Sequence, residues 1–140
     1  MRHETFTSVI FDTEQAREFM SQYFTIQKCP DQKGMVQITN GKTVGAIMFE
    51  QYNGTNIWGH AAGLPGTNWL TRHMLFSFFD YPFNQLDCER ITVWVDADNI
   101  ASRRFVKRLG FTRECVMTRA GKGGVDAHIY VMFREDCKYA

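Results

Sequence analysis

Residues 99–111, Asn-Ile-Ala-Ser-Arg-Arg-Phe-Val-Lys-Arg-Leu-Gly-Phe, constrain this chain more than any other stretch, because they specify a short helix with both ends marked. The Asn99 side chain can accept an orphan amide proton of the first turn, and Gly110 stands where a left-handed residue closes a helix. Between them Ala101, Phe105, Val106 and Leu109 fall on one face, while Arg103, Arg104, Lys107 and Arg108 make the rest cationic. The strand-like run Ile91-Thr-Val-Trp-Val95 and the turn Asp96-Ala-Asp98 come just before. The unit is therefore strand, short turn, capped basic helix and Gly-Phe exit. Taken alone, it is equally well an amphipathic helix docked on a sheet, with its cations merely solvated.

At 140 residues the chain has the length of one domain, 1–140, that buries a single core. Its 16 basic and 15 acidic side chains leave a formal charge of +1, which disfavours general nucleic-acid binding; any cationic site must be local. Apolar residues are 44% and Phe alone numbers 12, so the core is aromatic-heavy and the chain is not disordered. No run has the length of a membrane span, and Met1-Arg-His-Glu-Thr lacks the apolar stretch of a signal peptide, so a cytoplasmic protein is expected. Cys29, Cys88, Cys115 and Cys137 are scattered without Cys-x-x-Cys or histidine at ligand spacing, so no metal is expected and the thiols read as buried or idle.

The remaining pattern alternates strands and helices. Thr5 to Phe11 reads as an opening strand, and Asp12-Thr-Glu-Gln15 starts a helix reaching about Phe24 with Ala16, Phe19, Met20 and Tyr23 inward. Met35 to Thr39 and Lys42 to Gln51 flank Asn40-Gly41, the strongest short hairpin signal, because both residues tolerate positive φ. A third strand, about Thr55 to Ala62, leads into Gly63-Leu-Pro-Gly66. Thr67 or Asn68 can then cap a helix from about Trp69 to Phe79, which Pro82 stops. Two strands surround Ala120-Gly-Lys-Gly-Gly124, a hairpin turn that lacks the spacing of a phosphate loop. In the last strand Asp126, His128 and Tyr130 share one face, which borders an acceptor groove or faces solvent.

The helix at 99–111, in this order of elements, resembles the distal acyl-CoA-binding region of the GNAT superfamily of N-acyltransferases, where Asn, two residues, Ala or Ser and then Leu-Gly-Phe follow the fifth strand. The resemblance runs from about Val44 to Lys138 and is nearest to the ribosomal-protein acetyltransferase-like branch, small members of which also occur in bacteriophages. It implies an α+β fold, a single GNAT-like domain with a mixed, mostly antiparallel sheet and helices on both faces. It also implies acetyl-CoA as cosubstrate and transfer of an acetyl group to a primary amine. The acceptor is a protein, peptide or small amine, or the amine of an aminoacyl-tRNA; a dimer is open.

Aligning Asp80-Tyr-Pro-Phe83 with the Asp-Tyr-Ala-Phe that closes this helix in that branch puts Asn68-Trp-Leu-Thr71-Arg-His73 on the pyrophosphate loop. Asn68 then replaces the family's Arg and Thr71 its Gly. A helix N-terminus still offers amides to phosphates, so Gly66, Asn68, Trp69, Leu70, Thr71 and Arg72 are the expected loop contacts. Asn99, Ser102, Arg103, Phe105 and Arg108 would add contacts from the second helix. The backbone amides of Ala61 and Ala62 are expected to face the thioester. His60 is the candidate general base, since imidazole is the side chain that ionises near neutral pH, and Glu50 is the runner-up. Val106 occupies the position of the family's acid Tyr, leaving Ser102 or solvent to protonate the leaving thiolate. The missing Tyr and the altered loop also suit a non-catalytic interaction protein on the same fold.

Overall fold

The structure, a computed structural model, describes residues 6–139; Thr5 and the rest of the Met1–Thr5 start lie outside them. β1 (Thr7–Phe11) is an edge strand, and Asp12 caps α1 (Thr13–Met20) by accepting the Gln15 amide at 3.0 Å. α1 stops at Met20, short of Phe24. Its exit tightens through Gln22 N–H to Phe19 and Tyr23 N–H to Met20 carbonyls, which carries Tyr23 out to the surface.

β2 (Lys33–Thr39) and β3 (Lys42–Glu50) form the expected hairpin, with Asn40 at φ 51° and Gly41 at φ 79°. β4 (Asn56–Gly63) follows, then α2 (Arg72–Asp80), β5 (Arg90–Asp96), α3 (Ile100–Leu109), β6 (Thr112–Met117) and β7 (Ala127–Phe133). The seven strands make one sheet in the order β1-β2-β3-β4-β5-β7-β6. Only β4 and β5 run parallel, so the sheet is mixed and mostly antiparallel.

Alternation puts helices on both faces. Gly34 lies under α1, where a Cβ would stand 2.6 Å from Ala16 Cβ, and Met48 belongs to the same cluster. One residue on, Phe49 faces the other way and meets Phe78 of α2 with ring centroids 5.7 Å apart. That second cluster continues through Ile57, Ile91, Val106, Phe111 and Tyr130, so α2 and α3 share it.

α2 begins at Arg72, not Trp69, because Thr71 is the cap: its Oγ1 accepts from Met74 N and donates to Gln37 Oε1 of β2. Pro82 does not stop the helix. It lies near the start of a π-helical turn, Tyr81–Gln85, where its missing N–H is not called upon, and Leu86 N–H closes the wider turn on Tyr81. α3 has the expected caps, Asn99 on Ser102 N and Gly110 at φ 106°. Its buried face is narrower than expected: Val106 is buried, Phe105 and Leu109 half-buried, and Ala101 exposed. No described helix is long and apolar enough to cross a membrane.

Candidate active site

β4 and β5 part. Their pairing ends at Trp58–Thr92, although β4 runs on to Gly63 and β5 to Asp96. Ala61, within an interior strand, is exposed as a result. Leu64 N–H donates to Val44 of β3, while the Thr55 carbonyl accepts from Arg90 at the start of β5. Carried along the strand by alternation, these bonds turn the backbone of Gly59 and Ala61 into the gap and that of His60 and Ala62 toward β3. The Ala61 amide thus faces the gap and the Ala62 amide faces β3.

The two candidate bases form one unit. Glu50 and His60 lie on the face of the sheet that α1 covers, and His60 Nε2 stands 3.0 Å from Glu50 Oε1. A carboxylate accepts, so in the neutral ring this bond puts the proton on Nε2 and leaves Nδ1 with its lone pair. Glu50 Oε2 in turn accepts from Gln32 Nε2 at 2.8 Å, and Gln32 Oε1 is held by Arg17 Nε and Nη2 at 3.1 and 2.6 Å. The hydrogen bond from His60 holds the Glu50 carboxyl below its usual range; burial opposes this and the Gln32 bond reinforces it. The Phe24 ring lies against the imidazole, centroids 6.2 Å apart.

The N-terminus of α2 is tied through Thr71 to Gln37 of β2, level in register with Gly63 at the end of β4. The amides of Arg72 and His73 have no intrahelical partners there, no acidic side chain lies in the first turn, and the Arg72 guanidinium is exposed without a partner among the described residues. Trp69 leans back over the sheet. A Cβ on Gly63 would overlap its Nε1 and one on Gly45 would fall 2.7 Å from its Cε3, while its ring reaches Phe105 of α3 at 6.0 Å. Gly66 turns the loop at φ 79°, and Leu64 O accepts both Thr67 N–H and Oγ1–H. Asn68 is exposed and Leu70 half-buried.

The α3 residues divide. Phe105 meets the loop through Trp69, and half-buried Ser102 lies one turn away. Asn99 spends its side-chain oxygen on the cap. Arg108 is exposed, and half-buried Arg103 donates from Nη1 to the Ala97 carbonyl at 3.1 Å, which braces the β5–α3 turn. His128 and Tyr130 contradict both expectations for their face. They are 7% and 0% exposed beneath α3, and His128 Nδ1, the Tyr130 hydroxyl and Arg103 Nε have no hydrogen-bond partner among the described residues. Two of the four thiols, Cys29 and Cys115, are exposed, whereas burial pushes the Cys88 thiol up to about 11. Among the described residues no three His, Cys, Asp or Glu side chains gather as metal ligands would.

A parted parallel pair, a helix N-terminus level with its end and a half-buried His–Glu pair beside it suit transfer of an activated acyl group to an amine. The family profile for the acetyltransferase (GNAT) domain matches residues 1–112. This chain belongs to the GNAT acetyltransferase family. The match takes in the N-terminal hairpin, which the Val44–Lys138 resemblance left out. No curated protein matches this GNAT domain by sequence.

Among solved structures, the chain is similar to a dodecameric spermidine N-acetyltransferase of Vibrio cholerae, at 11% identity and TM-score 0.77, covering 92% of this chain and 94% of that one. It is also similar to a GNAT-family acetyltransferase of Bacillus anthracis, at 20% identity and TM-score 0.62, covering 73% of this chain and 66% of that one. An acetyltransferase from T. thermophilus aligns at 19% identity and TM-score 0.67, with 77% of this chain and 62% of that one covered. The chain thus spans less than two thirds of the last two. Identities this low speak for the fold alone.

GNAT proteins take acetyl-CoA as acetyl donor. The gap fits that group by its exposed Ala61, its inward amides and the uncompensated cationic end of α2. Sequence reasoning missed Gln32, Arg17 and Phe24, which come to His60 from chain positions 28 to 43 residues earlier and carry no local signal. Glu50 and His60 were read as alternatives, and the strand register makes them a pair. The hairpin register that sets Met48 opposite His60 and Glu50 opposite Trp58 makes them diagonal neighbours.

Proposed function

We propose that this GNAT domain is an acetyl-CoA-dependent N-acetyltransferase acting on a primary amine, with His60 as general base. The observation that carries the reading is the bond between Glu50 at the end of β3 and His60 of β4, the strand that borders the parted gap. Acetyl-CoA, when bound, supplies the activated acetyl thioester. Arg72 and the first amides of α2 hold negative charge at one end, and Phe105 with Trp69 lines the passage between α2 and α3. The Ala61 amide donates to an oxygen that gains negative charge. His60 takes the amine proton on Nδ1, directly or through a water, while Glu50 orients the ring. Ser102 is the hydroxyl nearest in position to the missing acid, since Val106 offers none.

An amine acceptor agrees with the Vibrio cholerae neighbour, whose name states spermidine. We assign the chain to the ribosomal-protein acetyltransferase-like branch on Leu109-Gly-Phe111 and Asp80-Tyr-Pro-Phe83, acting as one domain. The test is a thermal shift with millimolar CoA, followed by transfer of labelled acetyl from acetyl-CoA to a panel of amines and peptides. A ligand that binds only the folded state raises its melting temperature. His60→Ala is expected to lower turnover by roughly a hundredfold while CoA affinity stays near wild type. No shift with CoA sinks the reading, and full turnover in His60→Ala removes His60 as base.

A further inference from the structure

Gln32 stands at the foot of β2, only 8% exposed, and its carboxamide is the most heavily bonded side chain near His60. It precedes the terminal β2–β3 pair, Lys33–Phe49, by one residue, so antiparallel register sets it opposite Glu50 and on the same face of the sheet. Its Oε1 accepts from Arg17 Nε and Nη2 of α1 at 3.1 and 2.6 Å, and from the Cys29 N–H at 3.2 Å. Its Nε2 donates to the Gln27 carbonyl at 2.6 Å and to Glu50 Oε2 at 2.8 Å. An amide nitrogen carries two hydrogens, and both are spent.

These partners fix which way the amide faces. A guanidinium only donates, so Arg17 keeps the Gln32 oxygen on the side of α1; a flipped amide would set donors against donors. The nitrogen is thereby committed to Glu50. The same arrangement keeps a fixed cation off that carboxylate. Arg17 spends Nη1 on Glu14 at 2.6 Å and reaches Glu50 only through the neutral amide. Glu50 therefore takes an uncharged donor on Oε2, which pins the carboxyl plane, and Oε1 is left for His60 Nε2 at 3.0 Å.

We propose that Gln32 is a positioning residue for the transfer reaction: by donating to Oε2 it holds Glu50 so that Oε1 takes the His60 Nε2 proton and Nδ1 is presented as the base. This rests on the acetyl-transfer reading above. Two variants separate positioning from packing. Gln32→Glu keeps an oxygen for Arg17 and Cys29 but sets a second carboxylate against Glu50 where the donor stood. Gln32→Leu keeps a similar volume and offers neither group. A packing role makes Glu the milder change, whereas positioning makes it at least as harmful as Leu. The chain has 4 His, few enough to resolve by NMR on isotope-labelled histidine, and the His60 signals are those lost in His60→Ala. Long-range proton–nitrogen correlations then report which ring nitrogen carries the proton, with no acceptor needed. The wild type should show the Nε2–H tautomer of the neutral ring, and both variants a mixture with Nδ1–H. With acetyl-CoA and the most active amine of the panel, kcat should fall about tenfold in both, as loss of one hydrogen bond to a charged group does, while KM for acetyl-CoA stays near wild type. Should Gln32→Leu fail to fold, Gln32→Glu carries the test alone. An unmoved tautomer or wild-type kcat in Gln32→Glu overturns the proposal. Full turnover in His60→Ala would instead overturn the base reading on which it rests.

Discussion

The indole of Trp69 occupies the space a side chain on Gly63 would need, its Nε1 standing where the Cβ would be. Gly63→Ala should therefore push Trp69 off the ends of β3 and β4 and away from Phe105, at a cost of about 1 to 3 kcal/mol, the usual range for overpacking. Denaturant unfolding followed by tryptophan emission checks both parts. A variant with wild-type stability and unchanged emission would mean that the loop yields freely.

Arg72 stands on the first turn of α2, where a cation opposes the helix dipole. Arg72→Glu should make the fold equally or slightly more stable while weakening CoA by about 1 to 3 kcal/mol, the value of a charge-assisted hydrogen bond to phosphate. Calorimetric titration beside thermal melting separates the two effects. Unchanged CoA affinity would remove the α2 terminus from the pyrophosphate site.

Tyr130 is fully buried, and its hydroxyl lacks a partner among the described residues. An unpaired buried hydroxyl contributes no net hydrogen bond, so Tyr130→Phe should leave unfolding free energy within about 1 kcal/mol of wild type, or raise it. A loss of several kcal/mol, measured by denaturant titration, would show that the hydroxyl is engaged in solution.

His128, beneath α3, is held below the ordinary imidazole value of 6.5, chiefly by burial and then by Arg103 and Arg113, with Lys107 adding and Asp126 opposing. The folded chain binds this proton less readily than the unfolded chain. Stability is therefore full above about 6.5 and falls as pH drops through that value toward the lower folded one. Glu50, also lowered, adds a second loss that begins only around its ordinary value of 4.5. His128→Leu should flatten the profile between the two values and leave the more acidic loss in place. Melting curves at stepped pH decide it, and a variant that keeps the upper loss would clear His128.

Elements whose cause is local chemistry were legible from the sequence. Asn99 and Gly110 carry their caps within the helix they close, and Asn40-Gly41 needs nothing beyond its own dihedral freedom. The start of α2 was misplaced because two plausible caps, Thr67 and Asn68, precede the one used. Thr71 wins through Gln37, which lies 34 residues away. His60 and Glu50 were found as separate candidates, since nothing short of the hairpin register joins them. The face of His128 and Tyr130 was misjudged because period-two alternation states which residues share a side, not what covers it.

The single parallel junction has a further consequence, for how the chain assembles. β1 to β4 form one antiparallel run, with α1 in the β1–β2 connection and short turns after it, and β5, β7 and β6 form a second antiparallel unit, yet only three residue pairs join β4 to β5. Each half is rich in near-sequence pairing that forms early, whereas the junction must wait for α2 to lay Phe78 against Phe49 of one half and Phe111 of the other. Amide protons along the junction should be the first of the sheet's interior to exchange, because opening there needs few bonds broken and leaves both halves whole. The protein's line of least cohesion and its parted gap are the same place.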